Sequence, residues 1–156
     1  MYLFRRLLLI MIMTASFTGC AFLSGMQKLT AVCDYDRAWE SALDTVKDRS
    51  VSTQDKDAGL IVTDWIEIPM PGRAYGLFRR DLADNSKDRS RITLRVKRLG
   101  DGTQVSFIED RQSWAFRGGS RLFGWASVDP SEYVMRDLQN RLNTKLKERG
   151  CSLASL

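Results

Sequence analysis

Acidic, hydroxyl and basic side chains that could take part in catalysis are scattered along the 156-residue chain, which contains no histidine. Histidine acid–base chemistry and histidine metal sites are therefore excluded. Asp55 and Asp57 are spaced i and i+2 at a strand end, where paired carboxylates could bind a cation or transfer a proton; the alternative is a solvated turn. Ser86 precedes Lys87 without the S-x-x-K spacing that activates a serine. The sequence predicts no catalytic site, metal site or cofactor, so we do not expect an enzyme.

The chain opens with a basic and then an apolar segment. Arg5 and Arg6 precede the apolar run 7–13, which is long enough for the hydrophobic part of a signal peptide and too short to span a bilayer. Small and polar residues follow up to Gly-Cys at Cys20. These first residues resemble a bacterial lipoprotein signal, in which a small residue precedes an obligatory cysteine. The alternative is an uncleaved anchor or a buried N-terminal helix.

The resemblance to a lipoprotein signal implies a location in the cell. Cleavage would remove the signal peptide 1–19, and the thiol of Cys20 would carry diacylglycerol with fatty acids such as palmitate. Two or more acyl chains hold a protein stably at a membrane. Ala21, where aspartate would favour the inner membrane, implies the outer membrane. We therefore expect a lipid anchor in the envelope, facing the periplasm, with a lipidated tether over 20–30 and one domain over 31–156.

Two cysteines remain after Cys20 is assigned to the lipid. Cys33 and Cys151 lie near the two ends of the expected domain, and domain ends often lie close together. Outside the cytosol paired thiols tend to form disulfides, so we predict a bridge between them. The alternative is two buried free thiols.

A basic stretch in the middle of the chain contributes much of the net charge of +5. Such a cluster could meet a polyanion. In the periplasm this would be lipopolysaccharide, phospholipid headgroups or peptidoglycan, and nucleic acid is not expected. The alternative is a solvated sheet face paired with Asp81, Asp84, Asp88 and Glu109. The basic residues are Arg79, Arg80, Lys87, Arg89, Arg91, Arg95, Lys97 and Arg98.

Residues 112–128 interleave aromatic side chains with glycines and two arginines, and the sequence predicts a loop there. Because Trp and Arg often dominate the energetics of interfaces, this loop is a candidate partner- or ligand-binding surface. The alternative is a loop whose aromatic side chains fold under the sheet. The candidate residues are Trp114, Phe116, Arg117, Arg121, Phe123 and Trp125.

Helical periodicity occurs near both ends of the expected domain. Residues 36–49 place apolar side chains at i, i+3, i+4 and i+7 from Trp39, with Asp34 or Asp36 as the N-cap. A longer helix is expected to start at Asp129 and to end at a glycine. In that helix Pro130 takes N1, Glu132 takes N3, and Gly150 follows the last turn.

Strand patterns fill the interval between the helices. The alternation is clearest where Ile92, Leu94 and Val96 share one face. In residues 60–68 the same alternation places 60, 62, 66 and 68 on one face of a strand and 61, 63, 65 and 67 on the other. The pattern does not decide which of the two faces is buried. Residues 72–90 predict a mobile connection with strand character near 75–79. The predicted strands are 31–33, 51–55, 60–68, 91–98 and 103–111, the last two joined by a turn at 100–102.

This element order predicts an α+β fold: a two-layer domain in which an antiparallel sheet is covered by a long C-terminal helix with a shorter N-terminal helix beside it. Ala38-Trp39, followed by 51–57 and 58–65, resembles BamC, the lipoprotein subunit of the β-barrel assembly machinery. The similarity covers roughly residues 33–111, with the last helix matching in position. It implies a helix-grip fold, here in one domain where BamC has two.

The resemblance implies a non-enzymatic outer-membrane lipoprotein that acts as an accessory or scaffold in envelope or outer-membrane protein assembly. Its expected partners are the membrane, through the lipid, and β-barrel assembly components or other envelope proteins. The alternative is a lipoprotein that binds an apolar or anionic envelope ligand, such as a lipid or lipopolysaccharide. Helix-grip folds can enclose apolar ligands, which keeps this alternative open.

Overall fold

The computed structural model describes residues 25–69, 87–116 and 123–153, and within them the chain forms eight strands and two helices. All strand pairs are antiparallel and belong to one sheet. The predicted α+β class is therefore confirmed. In chain order the elements are β1 Gln27–Val32, α1 Tyr35–Thr45, β2 Val51–Asp55, β3 Leu60–Thr63, β4 Ile66–Pro69, β5 Lys87–Leu99, β6 Gly102–Phe116, β7 Phe123–Val128, α2 Glu132–Glu148 and β8 Ser152–Leu153.

The long hairpin of β5 and β6 is the centre of the sheet. β3 and β4 pair with successive stretches of β5, while β1 and β7 pair with successive stretches of β6. β2 extends the sheet beyond β3, and β8 extends it beyond β1. Every described strand therefore joins this hairpin directly or through one neighbour.

The predicted hairpin within residues 91–111 is confirmed, and both strands are longer than predicted. The even-numbered side chains of β5 are buried through most of its length, as period-2 alternation requires. Ile92, Leu94 and Val96 reach the core in this way. Gly100, at φ 57°, occupies the two-residue turn, where glycine adopts positive φ at little cost.

The predicted single strand at 60–68 is wrong, because the chain divides there into β3 and β4. Both strands pair with β5, and the pairs that flank the division are Val62–Thr93 and Ile66–Ser90. Three residues lie between these pairs on the β3–β4 side and two on the β5 side. This extra residue is the hallmark of a β-bulge.

The extra residue reverses the two faces of the second half of this segment. Ile61 and Thr63 are buried in β3, whereas in β4 it is Ile66 that lies opposite a buried residue of β5. Thr63 Oγ1 accepts the backbone N–H of Ile92 at 2.9 Å, which satisfies a donor at the division. Trp65 is consequently on the opposite face of the sheet from the core.

Helix α1 confirms the predicted helix within 36–49 but ends four residues earlier, at Thr45. Its N-cap is Asp34, whose carboxylate accepts the N–H of Arg37 at 2.8 Å. That hydrogen bond, with the Arg37 guanidinium beside it, holds the pKa of Asp34 below its usual value of 3.8. The apolar face centred on Trp39, which is 1% exposed, enters the core.

Helix α2 starts later than predicted, and Asp129 is not its N-cap. The N-cap is Ser131, whose side chain makes no capping hydrogen bond. The backbone N–H of Ser131 instead donates to Oε2 of Glu109 at 2.6 Å. Glu109 lies on β6 and is 1% exposed, so the acceptor at this helix start comes from the sheet rather than from the adjoining sequence.

The end of α2 follows the prediction at Gly150. This glycine has φ 74°, and its N–H donates to the carbonyl of Lys147 at 2.9 Å. The N–H of Cys151 donates to the carbonyl of Leu146 at 2.9 Å, which completes a Schellman arrangement. The buried side chains of the helix are Met135, Leu138, Leu142 and Leu146.

Buried residues of both helices and of the central strands form one hydrophobic cluster. α1 contacts β5 and β6, whereas α2 packs chiefly against α1 and also reaches β6 and β8. Ser41 links the two helices by donating to the carbonyl of Lys145 at 3.2 Å. The shorter helix α1 therefore contacts the central strands more closely than α2 does. The sequence instead predicts that the longer helix lies across the sheet.

β1 begins at Gln27, inside the segment 20–30 that the sequence assigns to a tether, and is longer than the predicted strand at 31–33. It pairs with β6 on one side and with β8 on the other. Ala31 is fully buried and Leu29 packs against the core. Pairing on both sides explains why a short, weakly patterned segment is a strand.

Candidate interaction surface on the sheet

The predicted loop at 112–128 is wrong, because most of it is β-hairpin. β6 continues to Phe116, and β7 returns from Phe123. Trp114 lies directly opposite Trp125 in this pairing. Of the six candidate residues predicted there, four therefore lie on paired strands, while Arg117 and Arg121 lie outside the described residues.

Strands β5, β6 and β7 and the bulge between β3 and β4 place aromatic and cationic side chains on the sheet face opposite the hydrophobic core. The odd-numbered residues of β5 lie on this face, since the even-numbered ones are buried. Cross-strand register adds the facing residues of β6 and β7, and the bulge adds Trp65. We call this surface the Trp–Arg face. It consists of Trp65, Lys87, Arg89, Arg91, Trp114 and Trp125.

Arg89 is the centre of the Trp–Arg face. Its guanidinium carbon lies 4.5 Å from the ring centroid of Trp65 and 4.3 Å from that of Trp125, so the cation is stacked between two indoles. Arg91 also lies over Trp65, at 4.8 Å. Trp114 meets Trp125 edge-on with centroids 5.3 Å apart.

The cations of the Trp–Arg face are only partly neutralised. Arg91 donates to Asp110 at 2.8 Å, and Lys87 donates to Glu67 at 2.9 Å. Arg89 instead donates from Nε and Nη2 to the amide oxygen of Gln112, at 2.9 and 2.6 Å. Because an amide carries no charge, this hydrogen bond orients Arg89 and leaves its positive charge uncompensated.

The cationic surface continues along β5 toward the turn. Arg95 and Lys97 are exposed and lie on the same face as Arg89. Neither takes part in the ion pairs found among the described residues. Arg89, Arg91, Arg95 and Lys97 therefore share one face of β5.

Buried polar contacts support the other side of this end of the sheet. Asp88, 6% exposed, accepts from Arg111 at 2.6 and 2.9 Å and also from the Ser113 hydroxyl. These partners sit on the neighbouring strand, so the contacts hold β5 and β6 in register beneath Arg89. Glu109, predicted as an alternative partner of the basic stretch, belongs to the helix start and not to this face.

Sequence patterns did not identify Trp65 and Arg89 as members of one site. Trp65 was assigned to a continuous strand whose buried face was undecided, and Arg89 fell inside the predicted connection 72–90. The missing information was the one-residue bulge, which no local pattern reports. The predicted strand character near 75–79 and the carboxylates Asp81 and Asp84 lie outside the described residues.

The predicted pair of cysteines forms a disulfide in the structure. Cys33 and Cys151 have Cα atoms 5.1 Å apart and are separated by 118 residues in the chain. Cys33 follows β1, and Cys151 precedes β8, which pairs with β1. The bridge therefore joins the two ends of the described domain beside a strand pair.

Asp55 ends β2, and Asp57 lies in the turn that follows, where the contacts are structural. Asp55 Oδ1 accepts the N–H of Ala58 at 2.9 Å, as turn aspartates do. The hydroxyl of Tyr35 donates to the carbonyl of Lys56 at 2.5 Å, and burial raises the pKa of Tyr35 above 10.0. Within the described ranges, no three acidic or cysteine side chains converge as a metal site would require.

A cleft of about 470 Å³ lies where the start of β1 meets the first turns of α2. Its lining includes Gly25, Gln27, Pro130 and Met135, together with the charged Arg136. This mixed lining differs from the apolar cavity expected for an enclosed lipid.

The predicted signal peptide 1–19 and residues 20–24 of the predicted tether, which include Cys20, lie outside the described residues. Among the described helices, neither is long and apolar enough to cross a bilayer. The chain matches no known protein-family model and no curated protein.

Proposed function

We propose that the protein is a non-enzymatic outer-membrane lipoprotein that acts as an accessory or scaffold in envelope or outer-membrane protein assembly. The Cys33–Cys151 disulfide is the observation that carries this proposal. Such bridges persist in oxidising compartments and are rare in the cytosol. An extracytoplasmic domain agrees with the lipoprotein-like signal that ends at Cys20.

A scaffold needs a rigid surface on which another molecule can bind, and the Trp–Arg face supports this role. Its tryptophans and arginines belong to the residue types that supply most interface energy. They are mounted on paired strands rather than on a loop. Rigid side chains lose little conformational entropy on binding.

We also propose that the domain is a helix-grip fold related to that of BamC. The order of a helix, an antiparallel sheet and a longer helix supports this relation. The residues that carry the resemblance occupy α1, β2, β3 and the turns between them.

Substitution of Cys20 tests the anchor. We expect Cys20→Ser to move the protein from the membrane fraction to the soluble fraction or to leave it unprocessed. Ser24→Ala is the matched control, because it changes a neighbouring residue of the predicted tether without removing the thiol and should leave membrane fractionation unchanged. Membrane fractionation and normal processing of Cys20→Ser would contradict the proposal.

Affinity purification of the lipidated protein from solubilised envelopes tests the scaffold role. We expect β-barrel assembly components or other envelope proteins to copurify. Recovery of the lipidated protein without any other envelope protein would contradict the scaffold role.

A second candidate is a lipoprotein that binds an anionic envelope ligand. The uncompensated charges of Arg89, Arg95 and Lys97 favour it. Native mass spectrometry distinguishes the candidates, because a retained lipid or lipopolysaccharide in the absence of copurifying proteins supports the second.

A further inference from the structure

We propose that the Trp–Arg face, extended by Arg95 and Lys97, docks on the phosphate groups of an anionic lipid bilayer. This inference rests on the proposed lipoprotein function, which brings the domain to a membrane, and assigns that membrane a second contact with the protein. The docking contact is the sheet itself and is separate from the acyl chains at Cys20.

The charge balance of the face favours an anionic surface. Strands β4, β5 and β6 place five cations on it and two carboxylates, Glu67 and Asp110, which leaves a net charge of +3. Both carboxylates are already paired with cations of the face. Basic side chains close to an anionic membrane are attracted by the surface potential. The cations are Lys87, Arg89, Arg91, Arg95 and Lys97.

The tryptophans favour a bilayer over a dissolved anion. Three of the four tryptophans of the chain lie on this face, and all three are half-buried. Only Trp39 lies elsewhere, in the core. Indole rings concentrate at the headgroup level of membranes, where the ring meets apolar carbon and the N–H meets water. A face that alternates indoles with arginines matches both the apolar and the charged layer of that region.

The shape of the face also suits a surface. From Lys87 to Lys97 β5 extends roughly 33 Å, and the four strands β4 to β7 span about 15 Å across. Both described helices share their core with the opposite side of the sheet. The extended area is larger than a single small anion requires.

The predicted anchor holds the domain close to the bilayer. Six residues lie between Cys20 and the start of β1 at Gln27, so an extended tether of seven Cα–Cα steps reaches at most about 25 Å. A short tether raises the effective concentration of the domain at the membrane, and even weak contacts then become populated. The closeness of the bilayer favours a lipid surface over an acidic protein as the occupant of the face.

Quenching of tryptophan fluorescence by brominated lipids tests the docking. The full chain is added to brominated phosphatidylcholine vesicles with or without phosphatidylglycerol. We expect quenching of the three face tryptophans with phosphatidylglycerol present, weaker quenching without it, and release by salt because exposed charges are screened. The N-terminal segment contains no tryptophan, so its insertion into the vesicle produces no quenching of its own.

Charge removal on the exposed part of the face provides the discriminating variant. Arg95→Gln with Lys97→Gln should lower the ratio of docked to free domain roughly 25-fold, about fivefold for each charge. Arg136→Gln with Lys147→Gln removes the same charge from exposed positions on α2 and should change little. Neither pair contributes to the core, and circular dichroism should be used to check that each variant is folded.

Equal quenching in the two lipid mixtures, or equal loss in both double variants, would overturn the proposal. So would unquenched tryptophans that respond instead to polyglutamate, which would indicate an acidic protein partner. These results are independent of the Cys20→Ser experiment when the membranes are washed with high salt before fractionation, because salt releases the sheet face and leaves the lipid anchor in place.

Discussion

Gly59 shows how one residue constrains the turn that precedes β3. It has φ +65°, and its carbonyl accepts the N–H of Val96 at 2.8 Å. A Cβ at this position would lie 2.0 Å from the Val96 carbonyl oxygen, which is backbone and cannot move aside. The glycine therefore permits both the left-handed conformation and the close approach of the turn to β5.

Gly59→Ala is expected to destabilise the protein by about 2–4 kcal/mol, because it adds a backbone clash to an unfavourable φ. Gly100→Ala is the matched control: its φ is +57°, but nothing lies within 4 Å of the added Cβ. We expect it to cost about 1 kcal/mol. Urea unfolding measures both, and equal losses would refute the role of the clash.

At the scale of elements, α2 depends on the sheet for its first turn. The local sequence offers Asp129, Pro130 and Glu132 as a capping arrangement, yet the helix begins after Ser131. The carboxylate of Glu109 accepts the Ser131 N–H from across the domain. Its Oε1 has no hydrogen-bond partner among the described residues. A carboxylate at the start of a helix interacts favourably with the positive end of the helix dipole.

Glu109→Ala should lower the free energy of unfolding by about 3 kcal/mol, because the partly buried N–H of Ser131 loses its acceptor and a cavity remains at the buried Glu109 position. Glu109→Gln retains an acceptor oxygen and should cost less than about 1 kcal/mol. Asp129→Ala, at an exposed position without a capping role, should change stability by less than about 0.5 kcal/mol. Denaturant titration compares the three, and a larger loss for Asp129→Ala than for Glu109→Ala would restore the local cap.

At the scale of the whole molecule, the Cys33–Cys151 disulfide connects the first strand to the segment after the last helix. The bridge closes a loop of 118 residues and adjoins the β1–β8 pairing. Closing so long a loop restricts the unfolded chain strongly. The strands at this end are short, since β8 has two residues, so the covalent bond secures a pairing that hydrogen bonds alone hold weakly.

Reduction of the disulfide should lower the free energy of unfolding by about 4–5 kcal/mol in the chain-entropy model. The double variant Cys33→Ala/Cys151→Ala should show a similar loss and no further response to reductant. Thermal unfolding with and without dithiothreitol measures this. If the melting temperature of the wild type were the same in both conditions, the bridge would make no contribution to stability.

Sequence alone determined the features that depend on neighbouring residues. Alternation identified the β5–β6 hairpin, the spacing of Trp39 and its apolar companions identified α1, and Gly150 marked the end of α2. The cysteine pair was also predictable, from its location near both ends of the domain. The helix and the hairpin depend on local periodicity, and the helix end depends on a backbone conformation that glycine favours. The disulfide depends on the two cysteines that remain once Cys20 is assigned to the lipid.

Tertiary structure decided which faces meet. The bulge between β3 and β4 places Trp65 beside Arg89, and the return of β7 brings Trp125 to the other side of the same guanidinium. Strand register determines such meetings, and a shift of one residue exchanges the faces of a strand. Register is set by pairing between distant segments and by burial. The sequence therefore determined the residues of the Trp–Arg face, and the sheet determined that they form one surface.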